Sequence, residues 1–187
     1  MTYINDFQIQ KAVNVMEHDG VIAYPTEAVY GLGCLPTSDT AVQRILEIKN
    51  RPWHKGLILV ASELEQIEPF VAPQAWDLLA CFEQYPGQPV TWLLPRVTTM
   101  SPLICGQHDK IAIRLSQNPF IRALCDKADS AIVSTSANRA GQPEIKTPQE
   151  IRNRMIDQLD LVIAGPLGGY DRPSKIIDAQ TQQVLRD

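Results

Sequence analysis

Tyr24-Pro25-Thr26-Glu27-Ala28-Val29-Tyr30-Gly31-Leu32-Gly33 is an apolar segment stopped by proline, followed by polar residues and closed by two glycines. Val21 to Tyr24 reads as a short buried strand that ends at Pro25, because proline fixes φ and removes a backbone donor. The segment after it reads as a loop, with Gly31 and Gly33 permitting tight turning and close approach to a ligand. Further on, Lys49-Asn50-Arg51-Pro52 sets two cations two residues apart, directly before a proline that biases its neighbour toward an extended backbone. Positions i and i+2 of an extended segment face the same way, so Lys49 and Arg51 are expected to grip one polyanion, with Lys55 close behind. The plainer alternative is a solvated surface pair.

Working outward, Phe7, Ile9, Ala12, Val13 and Met16 recur at helical spacing, and Asp19-Gly20 ends that helix. Ser38 or Asp39 caps a second helix, with Val42, Ile45, Leu46 and Ile48 on its apolar face. Leu57 to Ala61 has the length of a buried strand. Ser62-Glu63-Leu64-Glu65 reads as a capping box, and Pro73 as the opening of a helix carrying Trp76, Leu79 and Phe82. Strands are predicted at Val90 to Leu94, Ile111 to Leu115, Ala131 to Ser134, Leu161 to Ala164 and Lys175 to Ala179. Asn118-Pro119 caps a helix bearing Ile121, Leu124 and Cys125, and Thr147-Pro148-Gln149-Glu150 is a second capping box. Ile176 to Leu185 reads as a hairpin turning through Gln180-Thr181. Strands interleaved with helices predict an α/β layer structure with a mixed sheet, in a single domain over residues 1–187.

With 44% hydrophobic and 20% charged residues, the chain can bury a core, which excludes a disordered protein. No apolar run approaches the roughly 18 residues of a membrane span. Asn5 and Asp6 lead into the first helix without the basic and apolar regions of a signal peptide, so a cytoplasmic protein is expected. Cys34, Cys81, Cys105 and Cys125 are widely spaced and read as reduced thiols, and His18, His54 and His108 form no ligand pattern. The net charge of −4 argues against indiscriminate nucleic-acid binding and leaves room for a local basic cleft.

The polar residues gather at predicted strand ends, where open α/β sheets bind ligands. They are Thr26, Arg114 in an otherwise apolar strand, Ser134-Thr135-Ser136-Ala137-Asn138, and Ser174 within Arg172-Pro173-Ser174-Lys175. A buried arginine needs a partner, either a ligand or a structural salt bridge. If the strand continues, Ser134, Ser136 and Asn138 share one side, suited to a ribose, a phosphate or an amino-acid head group. No Walker loop, dinucleotide fingerprint or nucleophile elbow is present. A positioning site rich in donors and fixed cations remains, which suits phosphoryl or nucleotidyl transfer.

Taken in order, Y-P-T-E-A-V-Y-G-L-G, K-N-R-P-W-H-K-G-L, A-I-R-L-S, S-T-S-A-N-R-A-G-Q-P and P-S-K-I-I-D resemble the YrdC-type threonylcarbamoyl-AMP synthases in their short bacterial form. The resemblance covers nearly the whole chain. It implies a twisted mixed sheet with flanking helices around a basic concave cleft. It also implies a nucleotidyltransferase that joins L-threonine, bicarbonate and ATP into threonylcarbamoyl-adenylate and releases pyrophosphate. Partner proteins would then carry the threonylcarbamoyl group to tRNA, at the adenosine next to the anticodon. By the same resemblance, Lys49, Arg51, Ser136 and Asn138, with Lys55, fall on the ATP side, Lys49 and Arg51 being the catalytic pair. Thr26, Arg114, Ser134 and Ser174 fall on the threonine side. Mg²⁺ is expected with ATP, its protein ligands unknown. The rival reading is a non-catalytic RNA-binding protein, for tRNA or double-stranded RNA, using the same cleft. Ala28, Gly56, Ala140, the extra Gln88 and Lys175 depart from the commonest family pattern, and none belongs to the Lys, Arg, Ser and Asn set.

Overall fold

The strands send Val, Ile, Leu, Tyr and Trp side chains into the core. In the computed structural model, which describes residues 5–170 and 174–186, the strands are β1 (Ile22–Pro25), β2 (Tyr30–Cys34), β3 (Ile58–Ala61), β4 (Val90–Pro95), β5 (Lys110–Leu115), β6 (Ile132–Ser136), β7 (Leu161–Val162), β8 (Lys175–Asp178) and β9 (Val184–Arg186). The helices are α1 (Asp6–Glu17), α2 (Asp39–Lys49), α3 (Pro102–Cys105), α4 (Pro119–Ala128) and α5 (Pro148–Met155). Arg172 and Pro173 of the last sequence motif lie outside the described residues. One mixed sheet runs β7-β1-β2-β6-β3-β5-β4-β8-β9, with β1/β7, β3/β5 and β4/β8 parallel and the other neighbours antiparallel.

The predicted caps hold where a side chain reaches the first turn. Ser38 accepts from the Ala41 N–H, Asn118 from those of Phe120 and Ile121, and Thr147 from that of Glu150. Two layers then close on the sheet. Ala41, Val42, Ile45 and Leu46 of α2, with Ile151 and Met155 of α5, pack on Leu32, Leu59, Ile113 and Val133. On the opposite face, Ile9 and Val13 of α1 and Ile121 and Leu124 of α4 pack on Ile22, Tyr24, Val60 and Ile132. That second core covers only part of its face.

Several local expectations are corrected. Gly31 and Gly33 do not lie in a loop but in β2, paired with β1 on one side and β6 on the other. Their φ angles are ordinary, so what they supply is room. A Cβ on Gly33 would stand 2.8 Å from Cε1 of Tyr24, and one on Gly31 2.8 Å from Cγ2 of Thr26. Lys49 and Arg51 are not in an extended segment either. Lys49 ends α2, and Asn50 turns the chain in a left-handed conformation, φ 48° and ψ 46°, before Pro52. The capping box at residues 62–65 is a turn in which Gln66, not Glu65, receives the Ser62 N–H and hydroxyl. From Pro73 to Glu83 the chain forms 3₁₀ turns that leave Trp76 exposed. The strand predicted at Leu161 to Ala164 pairs only over Leu161–Val162.

Gly33→Ala tests the packing argument. Pressing a methyl group against the fully buried Tyr24 ring is expected to cost about 1–3 kcal/mol. Chemical denaturation measures it, and an unchanged stability would mean that the ring has room to shift.

Candidate active site

Register on the partly covered face places the site. A row of paired residues crosses it from Asp178 through Leu93, Ala112, Ile58 and Ser134 to Gly33. Small side chains at Ala112 and Gly31 leave a hollow of about 680 Å³, within the size range of small-molecule pockets. Thr26, Arg51, Lys55, Arg114, Ser134, Ser136 and Ser174 all line it. Lys49 and Asn138 lie behind its wall.

Along one side stand Arg51 and Lys55. Arg51 donates from Nε to the Gly56 carbonyl at 2.9 Å and from Nη2 to the Lys55 carbonyl at 3.3 Å. The 3₁₀ turn Trp53–Lys55 thus steadies the guanidinium from behind. Gly56 takes φ 63°, which a proline ring forbids. A Cβ there would also lie 3.0 Å from the Ile104 carbonyl.

Beneath them, Lys49 organises the end of β6. Its ammonium donates to the Ser136 carbonyl and, at 2.9 Å, to the Asn138 carbonyl. The Ser136 hydroxyl donates to Oδ1 of Asn138 at 2.6 Å, and the Asn138 amide donates onward to the Gln142 carbonyl at 2.7 Å. The strand stops at Ser136 and the chain turns, so Asn138 reaches this network by a turn and not by strand alternation. Burial, with the Arg51 charge adding to it, pushes the Lys49 ammonium down to about 8.

Arg114 occupies the cavity face of β5 with Lys110 and Ala112, while Ile111 and Ile113 point into the core. Its partner inside the protein is Glu27, at 3.2 Å from Nη2 to Oε2, with both side chains largely buried. Ser116 donates to the other carboxylate oxygen of Glu27 at 2.6 Å. Oε2 of Glu27 and Nε of Arg114 are buried with no hydrogen-bond partner.

Around this pair the hydroxyls are already oriented. Tyr24 donates to Oγ of Ser134 at 2.7 Å, which leaves the Ser134 proton free to point into the cavity. Thr26 donates to the Val29 carbonyl at 2.7 Å, which leaves its oxygen lone pairs as acceptors. Ser174 shares a hydrogen bond of 2.8 Å with the Thr91 hydroxyl.

Among the lining residues not singled out from the sequence are Glu27 and Arg186. Glu27 is the one charged residue between Tyr24 and Gly33, a signal available in the sequence. Arg186 enters from the last strand and donates to the Ser174 carbonyl from Nε at 3.1 Å and Nη2 at 2.7 Å. Burial, then the nearby Arg114 charge, lowers its pKa. Its pairing partners in β8 become visible only once the hairpin is in register.

The buried thiols of Cys34, Cys81 and Cys125 are each pushed up to about 12 by burial, so none is a thiolate nucleophile at neutral pH. Among the described residues no group of three or more His, Cys, Asp or Glu side chains is placed to hold a metal ion. Also among them, no helix is long and apolar enough to cross a membrane.

The sequence and the fold are both similar to those of known proteins. The Sua5/YciO/YrdC family model, described as "Telomere recombination", matches residues 14–187. A threonylcarbamoyl-AMP synthase of Vibrio vulnificus is 39% identical over 181 residues, spanning 95% of this chain and 97% of that one. A crystal structure of P. abyssi Sua5 complexed with L-threonine superposes with a TM-score of 0.83 at 28% identity over 94% of this chain. This chain spans about half of that protein, 52% of its length. The crystal structure of E. coli YciO gives a TM-score of 0.80 at 28% identity, covering 98% of this chain and 90% of that one. The chain belongs to the Sua5/YciO/YrdC family.

Proposed function

We propose that this protein is a threonylcarbamoyl-AMP synthase, making the adenylate from L-threonine, bicarbonate and ATP for the threonylcarbamoyladenosine modification of tRNA. The observation that carries the reading is one cavity with two kinds of recognition in it. Arg51 and Lys55 form a cationic side, and Arg114 shares the cavity with the hydroxyls of Thr26, Ser134 and Ser174. The relatives supply the chemistry that fits both: a 39% identical protein named for this synthesis, and a Sua5 that binds L-threonine.

Threonine's amine condenses with bicarbonate to give a carbamate and water. A carbamate oxygen then attacks the α-phosphorus of ATP, and pyrophosphate leaves. Arg51 and Lys55 neutralise phosphate charge as it builds on the leaving group. Lys49 acts mainly through the wall, fixing Ser136 and Asn138 at the nucleotide side. Arg114 takes the threonine carboxylate as a charge-assisted contact. Mg²⁺ would enter on the triphosphate oxygens, as it commonly does with nucleotide substrates. The protein partners would be those that pass the threonylcarbamoyl group on to tRNA, and the compartment the cytoplasm.

Mass-spectrometric detection of threonylcarbamoyl-adenylate from the purified protein with ATP, Mg²⁺, bicarbonate and threonine tests the synthase directly. Its absence, with both ligands shown to bind, would overturn the reading.

Contact with tRNA is expected to be weak and electrostatic. The chain is acidic overall, and two of the acidic cavity residues, Glu27 and Asp178, already pair with Arg114 and Lys110. RNA affinity should therefore fall steeply along a salt series, and ATP should displace the RNA. Tight binding that resists both salt and ATP would favour an RNA-binding protein.

A further inference from the structure

We propose, taking threonine as the substrate, that Glu27 is a substrate-binding residue: with Arg114 it clamps the zwitterion, Arg114 holding the carboxylate and Glu27 the α-ammonium. Four observations lead there. Both side chains belong to residues that line the cavity. Both are largely buried, 10% exposed for Glu27 and 15% for Arg114, so their charges are dear to keep apart from a partner. They approach to 3.2 Å, yet Oε2 of Glu27 and Nε of Arg114 each lack a hydrogen bond. The pair is therefore an incomplete match, with one unsatisfied acceptor and one unsatisfied donor left over.

An α-amino acid presents the complementary pattern. Its ammonium and carboxylate sit on one carbon, an opposite pair of charges at close spacing. Inserted between the two side chains, it would give the orphaned acceptor an N–H donor and the orphaned donor a carboxylate oxygen. Buried polar groups left without partners are uncommon in native proteins and mark places where a ligand completes the bonding.

The pair must open for this to happen, because Oε2 is shielded in the empty cavity. The opening is confined to side chains. The backbone of Thr26 and Glu27 is pinned by bonds from the Gly168 N–H at 3.0 Å and the Tyr170 N–H at 3.1 Å. Ser116 meanwhile holds the remaining carboxylate oxygen from the floor. Thr26 adds a hydroxyl oxygen that can accept a second ammonium proton.

The competing role for Glu27 is structural: it only props Arg114. The two roles separate when the ligand's ammonium is removed. (R)-3-Hydroxybutyrate keeps the carboxylate, hydroxyl and methyl of threonine and lacks the amine. Calorimetric titration of wild-type protein and Glu27→Gln with L-threonine, (R)-3-hydroxybutyrate and ATP makes the comparison. The wild type should prefer threonine over the deamino acid by about tenfold to a hundredfold, the value of a charged hydrogen bond. Glu27→Gln should lose most of that preference while binding ATP normally, which also reports that it is folded.

Equal weakening of both acids in Glu27→Gln, with the preference intact, would overturn the clamp and leave Glu27 as a prop. Equal binding of both acids by the wild type would overturn it without any variant, so a Glu27→Gln that fails to fold does not shelter it. A wild type that binds ATP but not threonine would overturn the substrate itself, a different failure from either.

Discussion

Lys49→Ala is expected to lose both stability and nucleotide binding, because the side chain joins α2 to the turn after β6. Its ammonium is the donor for two backbone carbonyls, those of Ser136 and Asn138, and the residue is only 5% exposed. Removing it leaves both acceptors without their charged partner, at a cost of about 2–4 kcal/mol after allowing for the ammonium's own desolvation. Ser136 and Asn138 would then lose their fixed positions, and ATP affinity should fall by roughly tenfold to a hundredfold. Arg51→Ala provides the contrast, since its guanidinium bonds carbonyls only four and five residues along the chain and joins no distant elements: affinity falls and stability changes less. Denaturation and ATP titration of the two variants separate these outcomes, and a Lys49→Ala as stable as the wild type would remove the lysine from the wall.

The same residue sets a pH dependence. Burial lowers the Lys49 pKa to about 8, so the ammonium is present below that value and lost as pH rises through it. ATP affinity should therefore weaken above about pH 8, and the alkaline limb should be missing in Lys49→Ala. The stability sign runs the other way for the group's ionisation alone. A folded pKa below the unfolded one means that the unfolded chain holds more protons between about 8 and the ordinary lysine value of 10.5. In that window the ionisation favours folding as pH rises, while the bonds to Ser136 and Asn138 weaken. Binding is thus the cleaner readout.

How far the sequence carried is clearest at particular residues. Helix caps at Ser38, Asn118 and Thr147 were legible because each rests on a bond spanning two or three residues. Arg114 was legible because one charge stood in an alternating apolar strand, and β5 does keep Ile111 and Ile113 on the core side. The K-x-R pair pointed to the right region for the wrong reason, since Asn50 turns left-handed where an extended link was expected. β1 ends at Pro25, where the proline predicts it, with Pro25 as its last paired residue opposite Tyr30. What stays hidden is β2, whose glycines look like loop residues until Tyr24 is seen lying across them. Two functional relations depend wholly on tertiary register, the Glu27–Arg114 pair and Arg186 on Ser174. No local pattern encodes a contact between residues so far apart in the chain. Local reasoning already set Thr26, Arg114, Ser134 and Ser174 at strand ends, and all four line one cavity; the resemblance to a family added their assignment to the threonine side.

Arg114→Ala is expected to be the most damaging change at the amino-acid side, through two effects that can be taken apart. Truncation leaves the buried Glu27 carboxylate with the Ser116 hydroxyl and no counter-charge. Breaking such a pair costs about 2–4 kcal/mol, toward the lower end for a pair that keeps some exposure. It also removes the proposed anchor for the threonine carboxylate. Arg114→Lys keeps the charge and should recover much of the stability, but a lysine cannot present the planar fork, so threonine affinity should stay low while ATP binds nearly as before. The double variant Arg114→Ala with Glu27→Gln removes both charges together. It should be more stable than Arg114→Ala alone and still fail to bind threonine, because stability follows the balance of buried charge and recognition follows the guanidinium. Denaturation of the single and double variants yields the coupling between the two side chains, and threonine titration yields the binding loss. If Arg114→Lys bound threonine like the wild type, the arginine would serve only to neutralise Glu27. The carboxylate would then have to be held elsewhere in the cavity, with Arg186, the cation nearest to Ser174, the next residue to replace.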